Sequence, residues 1–361
     1  MAVRDDLRAL EGYHSPQVSV AVRLNTNESP VPPPSAWRDA VAAELSRVDW
    51  HRYPDREARE LRRAIGASHG VPPEQVFAAN GSNEVLQTLL LAYTSFGRTV
   101  ATFEPTYQLH AHIARLVGAM VVEGERRDDF TLDLDEVHRV VTTGRPTVTF
   151  LCSPNNPTGL VEPEPLVRAV LDLVGSPGED GRPPGLLVVD EAYGQFAPWS
   201  ALTLVDDERP LVVTRTYSKT WSMAAARLGY LIGPSWLVEE LDKVTLPYHL
   251  DSAKQIAGRL ALRFTDDMEA RVKQVVAERE RLADALDRLP VEVWPSGANF
   301  LLFRPEDGRG HEVWQGLLDR SVLVRDCSGW PRLHGCLRVT VGTPEENDAF
   351  LAALATTLGH G

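Results

Sequence analysis

The sequence predicts an α/β protein: a larger, mainly parallel sheet domain followed by a smaller α+β region. Two observations carry that expectation. Short apolar, strand-like runs alternate with helical stretches through the first two-thirds of the chain, the pattern of a parallel sheet covered on both faces. After Ser235 the alternation gives way to one long polar-apolar helix and a few short strands. At 361 residues and 43% hydrophobic content, the chain can bury a large core and has room for two domains.

The elements follow in order. Gly81-Ser82-Asn83-Glu84 opens an amphipathic helix over 83–94, where the first N–H groups of the helix are free to cradle an anion. Strands are expected near Val100–Phe103, Ala119–Glu123, Val148–Cys152, Leu186–Val189, Leu211–Thr214 and Leu228–Ile232, with a further helix over Leu109–Val117. Asp266–Leu289 reads as the long helix, with strands near Val291–Trp294, Phe300–Phe303 and Leu337–Val341. The proline-rich stretches 30–34 and 176–184 read as surface connections.

Four of these segments carry chemistry. The strand at 211–214 runs into Thr216-Tyr217-Ser218-Lys219, and Arg227 follows eight positions after the lysine. A lysine among hydroxyls and near a second cation loses its proton readily and can attack a carbonyl carbon. Ser218 and Arg227 have the chemistry to hold a phosphate. An amine for an aldehyde beside an anchor for a phosphate suggests pyridoxal 5'-phosphate. Asp190 ends a buried strand, where ligands bind in open parallel sheets and where a carboxylate can pair with a pyridinium nitrogen; a helix N-cap is the plainer alternative for it. Another buried strand leads into the Asn155-Asn156-Pro157-Thr158-Gly159 turn, and Ser82 and Asn83 offer a second phosphate cradle.

Composition bounds the alternatives. With 37 basic and 50 acidic side chains the net charge is −13, which argues against nucleic acid as a partner while leaving room for local arginines around an anionic substrate. Cys152, Cys327 and Cys336 show neither metal-ligand spacing nor a disulfide framework, so no metal is expected and a reducing cytoplasm is the natural compartment. The N-terminus lacks the layout of a signal peptide, and no apolar run is long enough to span a bilayer, so no membrane partner is expected.

The ordered set Asn80-Gly81-Ser82-Asn83-Glu84, Pro105-Thr106-Tyr107, Pro154-Asn155-Asn156-Pro157-Thr158-Gly159, Asp190-Glu191-Ala192-Tyr193, Ser218-Lys219 and Arg227-Leu228-Gly229-Tyr230 resembles the fold-type I, class-II pyridoxal-phosphate-dependent aminotransferases. More narrowly, Leu24–Pro30, Arg52-Tyr53-Pro54-Asp55, Val324-Arg325-Asp326 and Cys336–Gly342 are similar to the histidinol-phosphate aminotransferases. The resemblance implies a seven-stranded, mainly parallel sheet in a cofactor-binding domain over 36–244. It implies a small domain built from 1–35 and 245–361.

Carried over residue by residue, the resemblance makes Lys219 the Schiff-base lysine and proton carrier, and Asp190 the partner of the ring nitrogen. Asn156 and Tyr193 would bond the phenolic oxygen, and Tyr107 would stack on the ring. Gly81, Ser82, Asn83, Ser218 and Arg227 would surround the phosphate, joined by Tyr53 from the other subunit of a homodimer. Arg338 would grip an α-carboxylate, and Arg325 the phosphate of histidinol phosphate or the side-chain carboxylate of glutamate, with Tyr13 and Asn25 closing over the substrate. The implied reaction moves an amino group between L-histidinol phosphate and 2-oxoglutarate. Trp221, Met223 and the bulky run 326–334 depart from that subgroup, so an aromatic or specialised amino-acid aminotransferase stays open. A phosphothreonine decarboxylase-like lyase also stays open.

Overall fold

The computed structural model describes residues 7–8, 18–178, 181 and 183–359. In chain order its elements are β1 (Val22–Arg23), α1 (Ser35–Leu45), α2 (Arg59–His69), β2 (Val76–Ala79), α3 (Ser82–Tyr93), β3 (Thr99–Glu104), α4 (Leu109–Leu116), β4 (Met120–Glu125) and α5 (Leu134–Gly144). There follow β5 (Val148–Cys152), α6 (Glu164–Val174), β6 (Leu186–Asp190), β7 (Leu211–Thr216), β8 (Gly229–Ile232), α7 (Ser235–Val244), α8 (Ser252–Ala261) and α9 (Thr265–Leu286). The chain ends with β9 (Val291–Val293), β10 (Phe300–Pro305), α10 (Gly310–Asp319), β11 (Val322–Leu323), β12 (Arg325–Asp326), β13 (Leu337–Thr340) and α11 (Pro344–Thr357).

Seven strands form the main sheet in the order β2-β8-β7-β6-β5-β3-β4. Only β8 runs against the others, pairing antiparallel with both β7 and β2. Period two explains how the central strands serve two cores at once. In β6, Leu186 and Val188 face the cluster holding Leu86, Leu89 and Leu237, while Leu187 and Val189 face Val167, Val170 and Leu171 of α6. A strand buried on both faces has few polar positions, which is why β6 reads as an apolar run up to Asp190. The strands expected from sequence lie within two residues of those observed. Strand β2 was not among them, because Val76–Ala79 is four residues long with no polar alternation to mark it.

A second sheet, in the order β12-β13-β10-β9, is wholly antiparallel, and α9, α10 and α11 cover it around Leu282, Phe303, Leu317 and Phe350. Helix α11 is well specified: Thr343 accepts from Glu346 N while the Glu346 carboxylate accepts from Thr343 N, and Pro344 fixes the first turn. The segment after β1 is stitched between β11 and β13, with Leu24 N donating to Leu323 O and Leu24 O accepting from Thr340 N. That strap carries residues 25–28 over the carboxyl ends of the main sheet. Among the described residues, no helix is long and apolar enough to cross a membrane.

Candidate active site

The carboxyl ends of β5, β6 and β7 lie side by side and open into one cavity of about 360 Å³. Its walls include Asn156 from the turn after β5, Asp190 at the end of β6 and Tyr193 just beyond it, and Ser218, Lys219 and Arg227 from the loop joining β7 to β8. Ser82 and Asn83 reach it from the start of α3, Tyr107 from the loop after β3, and Thr26 and Glu28 from the strap. A second cavity of about 200 Å³ shares Thr26, Tyr107, Asn156, Tyr193 and Lys219 and adds Asn25, Trp330 and Arg338. Lining residues of both cavities therefore come from either side of the lysine.

Lys219 Nζ donates to the backbone oxygen of Thr26 (3.2 Å) and lies 5.6 Å from the centre of the Tyr193 ring. Burial pushes its ammonium down to about 7, Arg338 and Arg227 push the same way, and Glu28 opposes them. An amine of that kind carries a large neutral fraction near neutral pH, as a nucleophile or proton carrier requires.

Asp190 is buried and held from three directions. His110 Nε2 meets Oδ2 at 2.9 Å, and Oδ1 accepts from Thr214 Oγ1 (3.0 Å) and Ala192 N (3.1 Å). His110 in turn lies flat on Phe150, with ring centroids 4.4 Å apart and planes 2° from parallel. The sequence reading did not nominate His110. It lies three residues beyond Tyr107 at the opening of a helix, a spacing that could have placed both at one end of the sheet.

Tyr193 is buried, and burial pushes its phenol up to about 12, so it keeps its proton. Its oxygen accepts from Asn27 Nδ2 (2.9 Å), which leaves the hydroxyl hydrogen to donate into the cavity. Asn27 is a second residue the sequence reading passed over. Asn156 accepts from Arg338 Nη1, and Arg338 Nη2 donates to Asn25 O at 3.0 Å. Tyr107 donates to Asn83 Oδ1 at 3.2 Å. Neighbouring Asn155, fully buried, donates to Pro105 O and Thr158 Oγ1 and accepts from Thr106 Oγ1, locking the loops after β3 and β5 together.

The phosphate end of the cavity is built from close approach. A Cβ on Gly229 would meet Ser82 N at 2.3 Å, so only glycine lets β8 press against the start of α3. Gly81, at φ +84°, turns the chain into that helix beside the Arg227 guanidinium. Arg227 Nη1 donates to Ser218 Oγ at 3.4 Å, and Thr216 Oγ1 lies 3.0 Å from the same oxygen. Helix N–H groups, two hydroxyls and a guanidinium at one end suit a dianionic phosphate. An amine, a carboxylate and two phenol-side donors at the other suit a substituted pyridine aldehyde. The residues present therefore fit pyridoxal 5'-phosphate.

The remaining sequence candidates fall elsewhere. Arg325 is buried but lines neither cavity; its guanidinium carbon lies 5.3 Å from the centre of the Trp330 ring. Tyr53 is 80% exposed, lines neither cavity, and stacks on Tyr248 with centroids 4.5 Å apart. Tyr13 lies outside the described residues.

The class I and II aminotransferase family model matches residues 19–354. The histidinol-phosphate aminotransferase of Frankia casuarinae is 45% identical over 371 aligned positions, covering 99% of this chain and 90% of that protein. That of Mycobacterium marinum is 44% identical, covering 98% and 92%. Among solved structures, the histidinol-phosphate aminotransferase of Sinorhizobium meliloti in complex with pyridoxal 5'-phosphate superposes with a TM-score of 0.88 at 22% identity, covering 99% of this chain and 97% of that one. At that identity the likeness is one of fold.

Proposed function

From the premise that this chain belongs to the class I and II aminotransferases, among relatives named histidinol-phosphate aminotransferase, we propose that it transfers an amino group between L-histidinol phosphate and 2-oxoglutarate with pyridoxal 5'-phosphate as cofactor. The observation that carries the reading is the convergence of Lys219, Asp190, Asn156, Tyr193, Ser82, Asn83, Ser218 and Arg227 on one cavity.

When bound, the cofactor supplies an aldehyde for the substrate amine and a ring that takes up electrons. The chain's own residues do the rest. Lys219 Nζ holds the cofactor and then takes and returns the proton at the reacting carbon. Asp190, oriented by His110, Thr214 and the Ala192 amide, offers a carboxylate oxygen to the ring nitrogen. Tyr193 donates its proton and Asn156 its amide toward the phenolic oxygen, while Tyr107 lies against the ring. The N-terminus of α3, Ser218 and Arg227 anchor the phosphate. Arg338 meets the α-carboxylate of glutamate, and Arg325 the anionic tail of either substrate.

The same reading makes the enzyme a cytoplasmic homodimer in which Tyr53 serves the partner's phosphate site. The strong exposure of Trp50, Tyr53 and Leu246, joined through the Tyr53–Tyr248 stack, supports an apolar surface for a second copy there. A specialised or aromatic amino-acid aminotransferase is the second reading, favoured by the indole of Trp330 at the wall of the substrate cavity.

Loaded enzyme mixed with L-histidinol phosphate and 2-oxoglutarate should form glutamate, with L-phenylalanine a much poorer donor. Preference for phenylalanine would establish the second reading. Release of carbon dioxide from phosphothreonine, with no glutamate formed from either amine, would overturn both.

A further inference from the structure

The run 326–334 is rich in bulky side chains, and it places Trp330 where the leading reaction gives it no role. Its loop is tightly made. Cys327 N donates to Cys336 O (3.0 Å), Trp330 N to Cys327 O (2.9 Å), Leu333 N to Trp330 O (3.2 Å) and Cys336 N to Leu333 O (2.9 Å). Cys327, Leu333 and Cys336 are all fully buried, in a cluster with Trp294 and Leu302 against which Trp330 packs. From the far side, Arg332 Nη2 reaches Asp128 at 2.9 Å and Nη1 pairs with Glu125, tying the loop to the end of β4. The indole is thus placed by its surroundings and cannot swing freely.

Trp330 lines the cavity that also holds Lys219 and Arg338, and its ring centre lies 5.3 Å from the guanidinium carbon of Arg325, the cross-strand partner of Arg338. A guanidinium packed over the face of an indole has that side closed to other partners. An anion then meets it away from the ring, where the planar fork can make two parallel charge-assisted bonds. We propose that Trp330 is a positioning and specificity-determining residue: it holds the Arg325 guanidinium in place, so that substrates ending in phosphate or carboxylate are selected over those with a neutral tail. This inference rests on the aminotransferase reading given above.

The experiment compares wild type, Trp330→Phe, Trp330→Ala, Arg325→Ala and Trp330→Ala/Arg325→Ala on L-histidinol phosphate and on L-histidinol, which lacks the anion. Wild-type turnover of histidinol phosphate tests the underlying reading separately; without it, that reading fails and the tryptophan is not at issue. Given that turnover, Trp330→Ala should raise KM for histidinol phosphate about tenfold with kcat little changed, the scale of a partly desolvated cation–π contact. KM for histidinol should barely move, and Trp330→Phe should recover most of the loss. In the double variant the loss should match that of Arg325→Ala alone, because the ring acts through the arginine. Equal losses on both substrates, or additive losses in the double variant, would show a merely structural role. A fall in KM for histidinol phosphate would show that the ring screens Arg325 instead. Any of these outcomes overturns the proposal.

Discussion

Arg325 and Arg338 are direct cross-strand partners, opposite each other in the antiparallel pairing of β12 with β13. Like charges at such positions repel and destabilise a sheet by a fraction of a kcal/mol to about 1 kcal/mol. Both side chains are nevertheless buried. A doubly anionic ligand relieves that repulsion, and both proposed substrates bring two anionic charges: a phosphate in one case, two carboxylates in the other.

The two arginines should therefore fail differently. Arg325→Ala should raise KM for histidinol phosphate about ten- to a hundredfold, the worth of its charge-assisted hydrogen bonds, and leave phenylalanine nearly unaffected. Arg338→Ala should hurt glutamate and phenylalanine alike, because both carry the α-carboxylate. Steady-state kinetics on the three amines checks this; parallel losses on all three for Arg325→Ala would remove its anion role.

Lys219 predicts a pH signature of folding. Its pKa falls from 10.5 in the unfolded chain to about 7 in the folded one, so between those values the unfolded state binds more protons. The lysine's destabilising contribution is complete below pH 7 and fades as pH rises toward 10.5. Denaturant midpoints of the cofactor-free protein should thus show an upward component from pH 7 to about 9.5 that Lys219→Met lacks. Borohydride reduction of the loaded enzyme should leave pyridoxyl mass on the Lys219 peptide and none in the variant.

On the proposed reading, His110 acts on the chemistry through its contact with Asp190. Asp190→Ala should retain some cofactor but lose about 10²–10³ in kcat, the scale for one preorganised electrostatic partner. His110→Phe keeps the stack on Phe150 and removes the bond, so it should lose a smaller share of kcat with KM unchanged. Turnover of Asp190→Ala equal to wild type would mean that the ring nitrogen has another partner.

Gly229→Ala tests the close approach of β8 and α3. A methyl group 2.3 Å from Ser82 N must displace the start of the helix, at a cost of about 1–3 kcal/mol for overpacking. Thermal melting should fall, and cofactor should dissociate faster than from wild type. An unchanged off-rate would separate the phosphate cradle from this contact.

The cofactor half of the site was legible because strand ends present it. Lys219, Asp190 and Asn156 each follow an apolar run, and an apolar run announces both the strand and the end at which ligands bind. His110 and Asn27 were not legible, because each acts on a residue far along the chain and the local sequence records only a helix and a strap. Arg325 also follows an apolar run, but no periodicity could show that it would be buried beside Trp330. Strand β8 was expected, yet its reversed direction follows from the short return after Lys219 and not from composition. The two-strand pairing of β1 with β11 escaped for the simplest reason: two residues show no alternation.

The bonds between Asn27 and Thr340 join positions 313 residues apart, and one of them helps orient the residue that touches Tyr193. Closing so long a stretch of chain is entropically expensive, and contacts of this kind form late. The substrate side of the site must therefore wait until nearly the whole polypeptide has left the ribosome and β13 has found its place, whereas the central sheet can close earlier. In refolding with cofactor present, followed by two probes, far-ultraviolet dichroism should recover ahead of substrate turnover. A chain ending before Leu337 should keep the first signal and never gain the second.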